Sequence, residues 1–77
     1  MTVRAKFKVQ TITRQRMYDG SGELQTIRLT PVISGSPENE QFYKYTPVGQ
    51  IELGTINAEV GSEFVLDGEY FVDFTKA

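Results

Sequence analysis

Strict alternation of apolar and basic residues from Val3 to Val9 constrains the fold of this chain more than any other feature. Apolar residues occupy every second position of this segment, and basic residues fill the positions between them. A repeat of two residues is typical of a strand with one buried face. Ile12 falls on the opposite parity, so a β-bulge near Gln10 and Thr11 is needed to return it to the buried face.

The rest of the chain consists of short runs between turn residues, and none carries a sustained repeat of 3.6 residues. Asp19-Gly20 and Asp67-Gly68 predict tight turns. Pro31 cannot donate a ladder hydrogen bond, which indicates an edge position or a bulge. We predict five strands, over 2–13, 23–33, 41–46, 50–53 and about 70–74, with one helical turn over 58–62 capped by Asn57.

Five short strands predict an all-β fold in a single domain over 1–77. The helical turn before the last strand favours a small, mainly antiparallel, SH3-like barrel, with an OB-like barrel as the second choice. The chain has no cysteine and no histidine, so neither a disulfide nor a zinc site is expected to support the small core. We therefore predict a homo-oligomer. The apolar runs are too short for a membrane span, and a soluble protein of the host cytoplasm is expected.

The two parts of the chain carry opposite charge, although the net charge is only −2. Residues 1–28 contain six basic and two acidic residues, whereas residues 29–77 contain two basic and eight acidic ones. One interpretation is an anion-binding face beside an acidic one. The alternative is that strands of opposite charge pair across a sheet and neutralise each other.

Arg4, Lys6 and Lys8 form the first group of candidate ligand-binding residues, with Arg28 as a further cation. Residues at every second position of a strand lie about 6.6 Å apart on one face. That spacing resembles the separation of successive phosphates along a nucleic-acid strand. The alternative is an ordinary solvated strand face.

The aromatic run Phe42-Tyr43-Lys44-Tyr45 forms the second group. On a strand, Tyr43 and Tyr45 would share a face and could stack nucleobases, with Lys44 near a phosphate. The alternative is that the tyrosines complete the core or a subunit interface. The sequence leaves open which of these the aromatic strand provides.

Thr46, Thr55 and Asn57 form the third group, because they lie in turn-like segments with small side chains that could present hydroxyl or amide groups to a base edge. Ordinary turn chemistry with a helix cap is the alternative.

Catalysis is not expected. Histidine and cysteine are absent, no serine lies in a nucleophile elbow, and no glycine-rich loop matches a phosphate-binding motif. We predict no catalytic residue, no metal site and no cofactor.

Four strings carry a resemblance to a known group of proteins. They are Arg4-Ala5-Lys6-Phe7, Phe42-Tyr43-Lys44-Tyr45-Thr46-Pro47, Ile51-Glu52-Leu53 with Asn57 following, and Gly68-Glu69-Tyr70-Phe71-Val72-Asp73-Phe74-Thr75. Together they resemble a family of very short tailed-phage proteins. The resemblance implies a phage-encoded protein, and small phage β-proteins include the anti-CBASS and anti-Thoeris sponges, oligomers that sequester cyclic nucleotide signals without cleaving them.

Three functions are in competition. The first is an oligomeric sponge for a phosphate-containing cyclic nucleotide, and its alternative is a module that binds a host or phage protein or serves as a virion accessory. The third is a single-stranded nucleic-acid binder, which the sequence pI of about 5.0 disfavours.

Overall fold

The computed structural model describes residues 3–20, 22–33, 35–43 and 48–77. Its elements are β1 (Val3–Arg16), β2 (Glu23–Pro31), α1 (Pro37–Tyr43), β3 (Ile51–Thr55), α2 (Ala58–Gly61) and β4 (Glu69–Phe74). The strands form one antiparallel sheet in the order β3-β2-β1-β4. The sheet curls into a half-barrel, so the mainly β architecture is confirmed.

The core lies on the concave side of the sheet. Its buried residues are Ala5, Phe7, Val9, Ile27 and Leu29. Five partly buried residues pack against them: Ile12, Ile51, Phe64, Tyr70 and Val72. The period-two pattern therefore predicts the inward face of β1 correctly.

The β-bulge predicted near Gln10 and Thr11 is confirmed. The register of β1 against β2 shifts between Val9 and Thr11. Beyond the shift, Ile12 lies opposite Ile27, the most deeply buried large side chain of β2. The extra residue thus corrects the parity of β1 and returns Ile12 to the core.

The strand predicted over 41–46 is wrong where the structure describes it. Residues 41–43 form the end of α1, and Lys44, Tyr45 and Thr46 lie outside the described residues. The cause is a helix-starting sequence just upstream: the Ser36 hydroxyl accepts a hydrogen bond from the Asn39 amide at 3.3 Å, and Pro37 occupies the first helical position. The described residues contain four strands, so the five-stranded SH3-like barrel is not confirmed.

Asn39, on α1, bonds to the backbone of β1 beside the end of β2, where the Val32 amide also bonds to the Lys6 carbonyl. Its side-chain carbonyl accepts from the Lys6 amide at 2.6 Å, and its amide nitrogen donates to the carbonyl oxygens of Lys6 at 2.7 Å and Val32 at 2.8 Å. Asn39 is buried, as is the capping Ser36. The helix therefore satisfies the β1 backbone at the point where β2 ends.

The single helical turn predicted near residue 58 is confirmed as α2. The Asn57 side chain accepts from the backbone amides of Glu59 and Val60, as the N-cap assignment requires. Neither helix in the described part of the chain is long and apolar enough to cross a membrane.

Candidate functional site

Four cations lie on the outward face of the sheet, Arg4, Lys6 and Lys8 on β1 and Arg28 on β2, and each is paired with an acid from the later part of the chain. Arg14, farther along β1, pairs instead with Glu23 of β2. The ion pairs join Arg4 to Asp73, Lys6 to Glu69, Lys8 to Asp67 and Arg28 to Glu52, at N–O distances from 2.6 to 3.7 Å. This arrangement is the mutual neutralisation of charged strands that the sequence left open as an alternative.

The tightest of these pairs is bidentate. Arg4 donates from Nε to Asp73 at 2.6 Å and from Nη2 at 3.0 Å. This hydrogen bonding holds the pKa of Asp73 below its ordinary value. The Arg4 guanidinium also lies 4.7 Å from the centre of the Phe71 ring, and the Lys6 ammonium lies 5.2 Å from it. Both cations thus rest on an aromatic ring of β4.

Tyr43 does not lie on a strand. It ends α1, half-buried, with its ring centre 4.7 Å from that of Phe42, and burial raises the pKa of its hydroxyl. Its predicted companions Lys44, Tyr45 and Thr46 lie outside the described residues. The paired stacking face of the two tyrosines is therefore not established.

Thr55 and Asn57 hold the turn between β3 and α2. The Thr55 hydroxyl accepts from the Asn57 amide at 3.0 Å, while the Asn57 side chain caps α2. The structure thus brings the four cations together on one face and places these two polar residues in a local turn. The alternative reading of the third group, turn chemistry with a cap, describes these contacts.

An apolar groove of about 550 Å³ lies on the concave side of the sheet. Its walls are Leu29, Ile51, Leu53, Phe64 and residues 70–74. Residues from both edge strands, β3 and β4, line it. The curl of the sheet therefore brings the two edge strands to opposite sides of one groove.

The β4 edge exposes apolar surface from two phenylalanine side chains. Phe71 is 52% exposed on the outward face, and Phe74 is 49% exposed although its ring centre lies 6.2 Å from that of Phe42. A second groove of about 740 Å³ adjoins the end of the strand and is lined by Val3, Phe74 and their neighbours. In the part of the chain that the structure describes, no strand pairs with the outer edge of β4.

The candidate site is therefore this β4 edge together with the apolar groove beside it. The sequence patterns that mark the cations and the tyrosines do not reveal this site. The detectable feature was the run Tyr70-Phe71-Val72, which places large apolar residues on both faces of a terminal strand. The described residues contain no cluster of three or more side chains suited to hold a metal ion.

Comparisons with known proteins do not assign the chain to a family: no family model, curated protein or solved structure matches it. The resemblance to short tailed-phage proteins therefore stays a prediction.

Proposed function

We propose that this protein is a protein-binding module that recruits an extended segment by β-strand addition to β4. The observation that carries the proposal is the outer edge of β4, unpaired among the described residues and bordered by an apolar groove of about 550 Å³. An exposed strand edge presents a row of main-chain donors and acceptors, and this row pairs readily with another extended chain.

The chemistry of such a complex follows from strand geometry. An added strand bonds to β4 through its main chain, and its alternate side chains point to the concave side. Those side chains would enter the groove between Leu53 of β3 and Val72 of β4. The preferred segment therefore has apolar residues at every second position, with polar residues between them.

The nucleotide-sponge hypothesis receives less support from the same geometry. It requires cations that are available to phosphates, and Arg4, Lys6, Lys8 and Arg28 each have an acidic partner within 4 Å. A phosphate would have to displace a carboxylate from each cation that it contacts. Nucleotide sequestration and single-stranded nucleic-acid binding stay predictions, and strand addition is the function that the geometry supports best.

The test uses two sets of synthetic peptides of about ten residues, the length of an ordinary strand. Both sets have one composition, but apolar residues alternate in the first set and form a block in the second. Fluorescence anisotropy, at the lowest usable protein concentration, should show binding of the alternating set only. Equal binding of both sets contradicts the proposal, because it indicates hydrophobic adsorption without strand pairing.

Two variants of Phe71 separate main-chain pairing from side-chain contact. Phe71→Pro removes the ring and the amide donor, whereas Phe71→Ala removes the ring alone. We expect Phe71→Pro to bind alternating peptides about threefold to tenfold more weakly than Phe71→Ala, which is the loss of one hydrogen bond. Equal affinities of the two variants would exclude addition at β4.

A further inference from the structure

The hydrogen-bonding direction of each β4 residue follows from two contacts of β1. The Lys6 amide and carbonyl bond to the Asn39 side chain, away from β4. The Val9 amide bonds to the Gly68 carbonyl, and the Val9 carbonyl accepts from the Asp67 amide, both on the β4 side. Because the direction of the main-chain hydrogen bonds alternates along a strand, the amides and carbonyls of the odd-numbered residues of β1 point toward β4.

The register of β4 against β1 then identifies the β4 residues whose main-chain groups point to the outer edge. Odd-numbered β1 residues pair with Tyr70, Val72 and Phe74, whose main-chain groups therefore point inward to β1. The amides and carbonyls of Glu69, Phe71 and Asp73 point outward. These three residues are the ones that an added strand would contact through hydrogen bonds.

This edge lacks the features that keep edge strands apart. It contains no lysine and no proline, and its register against β1 shows no bulge. Its two acids are already paired, Glu69 with Lys6 and Asp73 with Arg4. The exposed Phe71 and Phe74 leave apolar surface on both faces of the strand.

The β4 sequence is complementary to itself in one register. Two antiparallel β4 strands can pair only where the outward-facing main-chain groups of both strands lie opposite each other. The register that places Val72 opposite Val72 of a second copy meets this condition. That register places Tyr70 opposite Phe74 on the concave side and Phe71 opposite Asp73 on the outward side. Shifting the second strand by two residues places Glu69 opposite Asp73, and shifting it by two residues in the other direction places Asp73 opposite Asp73 of the second copy. Both neighbouring registers therefore place like charges opposite each other.

We infer that the segment added to β4 is β4 of a second copy of this chain, antiparallel about a two-fold axis with Val72 opposite the partner's Val72. The inference rests on the proposed function and names its partner. The two half-barrels become one continuous sheet of eight described strands, and the concave apolar row of each β4 continues onto that of the other. An isologous contact of this kind closes at a dimer.

The same register also determines which side chains meet on the outward face of the two paired β4 strands. Each Phe71 already lies beneath Arg4, and in the dimer it is opposite the partner's Asp73, which binds the partner's Arg4. Two rings and two bidentate ion pairs then meet around the two-fold axis. The dimer therefore covers the exposed Phe71, and the charged groups around it are already paired.

A single introduced cysteine tests the register, because the natural chain contains none. Val72 forms a non-hydrogen-bonded pair with itself in the inferred dimer, and such pairs have Cα atoms about 4.5 Å apart, within disulfide range. We expect Val72→Cys to oxidise rapidly to a covalent dimer. Leu53→Cys, 46% exposed on the opposite edge strand, is the matched control and should form no covalent dimer. Faster crosslinking at Leu53 than at Val72 overturns the inference.

Analytical ultracentrifugation of the unmodified chain and of both Phe71 variants completes the test. The wild type should dimerise, and Phe71→Pro should dissociate about tenfold to a hundredfold more readily than Phe71→Ala, because each dimer loses two main-chain hydrogen bonds. A wild type that stays monomeric at every concentration overturns the inference. If that monomer still distinguishes alternating peptides through Phe71, the proposed function stands, and if it does not, both fail.

Discussion

At the scale of single residues, Asn39 has the most consequential side chain that the sequence patterns do not reveal. It is buried and makes three hydrogen bonds to the backbones of β1 and the segment after β2. Asn39→Ala removes the side-chain partner of the Lys6 amide and of the Val32 carbonyl, while the Lys6 carbonyl keeps its bond from the Val32 amide. We therefore expect the free energy of unfolding to fall by about 2–3 kcal/mol. Urea unfolding measures it. Asn57→Ala, which removes an exposed helix cap, should cost about 1 kcal/mol, and a smaller loss at Asn39 than at Asn57 would contradict this role.

The Arg4–Asp73 pair predicts a particular dependence of stability on pH. Because Arg4 lowers the pKa of Asp73 in the folded state, the charged carboxylate favours folding. That contribution is complete above about pH 4, the ordinary pKa of aspartate, and is lost as the pH falls through the lowered pKa. The difference in urea midpoint between wild type and Asp73→Asn should therefore shrink on acidification. In an Arg4→Gln background the difference should show no such change, which isolates the pair.

At the scale of elements, the sequence predicts most of the strands, but it misassigns α1. Alternation and turn residues locate β1, β2, β3 and β4 to within a few residues, and parity alone locates the bulge. The aromatic residues at 42 and 43 favour a strand by propensity. The start of the helix at Ser36 and its packing on β1 decide the conformation, and that packing joins positions far apart in the chain.

The helix start at Ser36 can be tested directly. Ser36→Ala removes the hydroxyl that accepts from the Asn39 amide, and it should lower the free energy of unfolding by about 1 kcal/mol. Because the cap positions Asn39, the effects of Ser36→Ala and Asn39→Ala should not add. Ser62→Ala is the control, since that hydroxyl is exposed and makes one bond to the Glu59 carbonyl. Additive effects in urea unfolding would show that the cap and Asn39 act independently.

At the scale of the whole molecule, the charge asymmetry of the sequence is explained by register. Alternation shows that Arg4, Lys6 and Lys8 share a face, but it cannot show what lies opposite them. Their partners come from residues about 60–70 positions away, and only the pairing of β1 with β4 brings them together. The face that resembled a phosphate track is thus a row of ion pairs, and the apolar edge beside it became visible only in the fold.

This row of ion pairs gives a final prediction, which separates strand addition from nucleotide binding. Calorimetry of the wild type with cyclic dinucleotides, cyclic trinucleotides and short oligonucleotides should show no heat at moderate salt. A variant that converts Glu52, Asp67, Glu69 and Asp73 to their amides removes the acidic partners and exposes four cations. That variant should bind single-stranded oligonucleotides, and log affinity should fall against log salt with a slope of about −3, as expected for four phosphate contacts. Tight nucleotide binding by the wild type would restore the sponge hypothesis, because the cations would then have to exchange their carboxylates for phosphates.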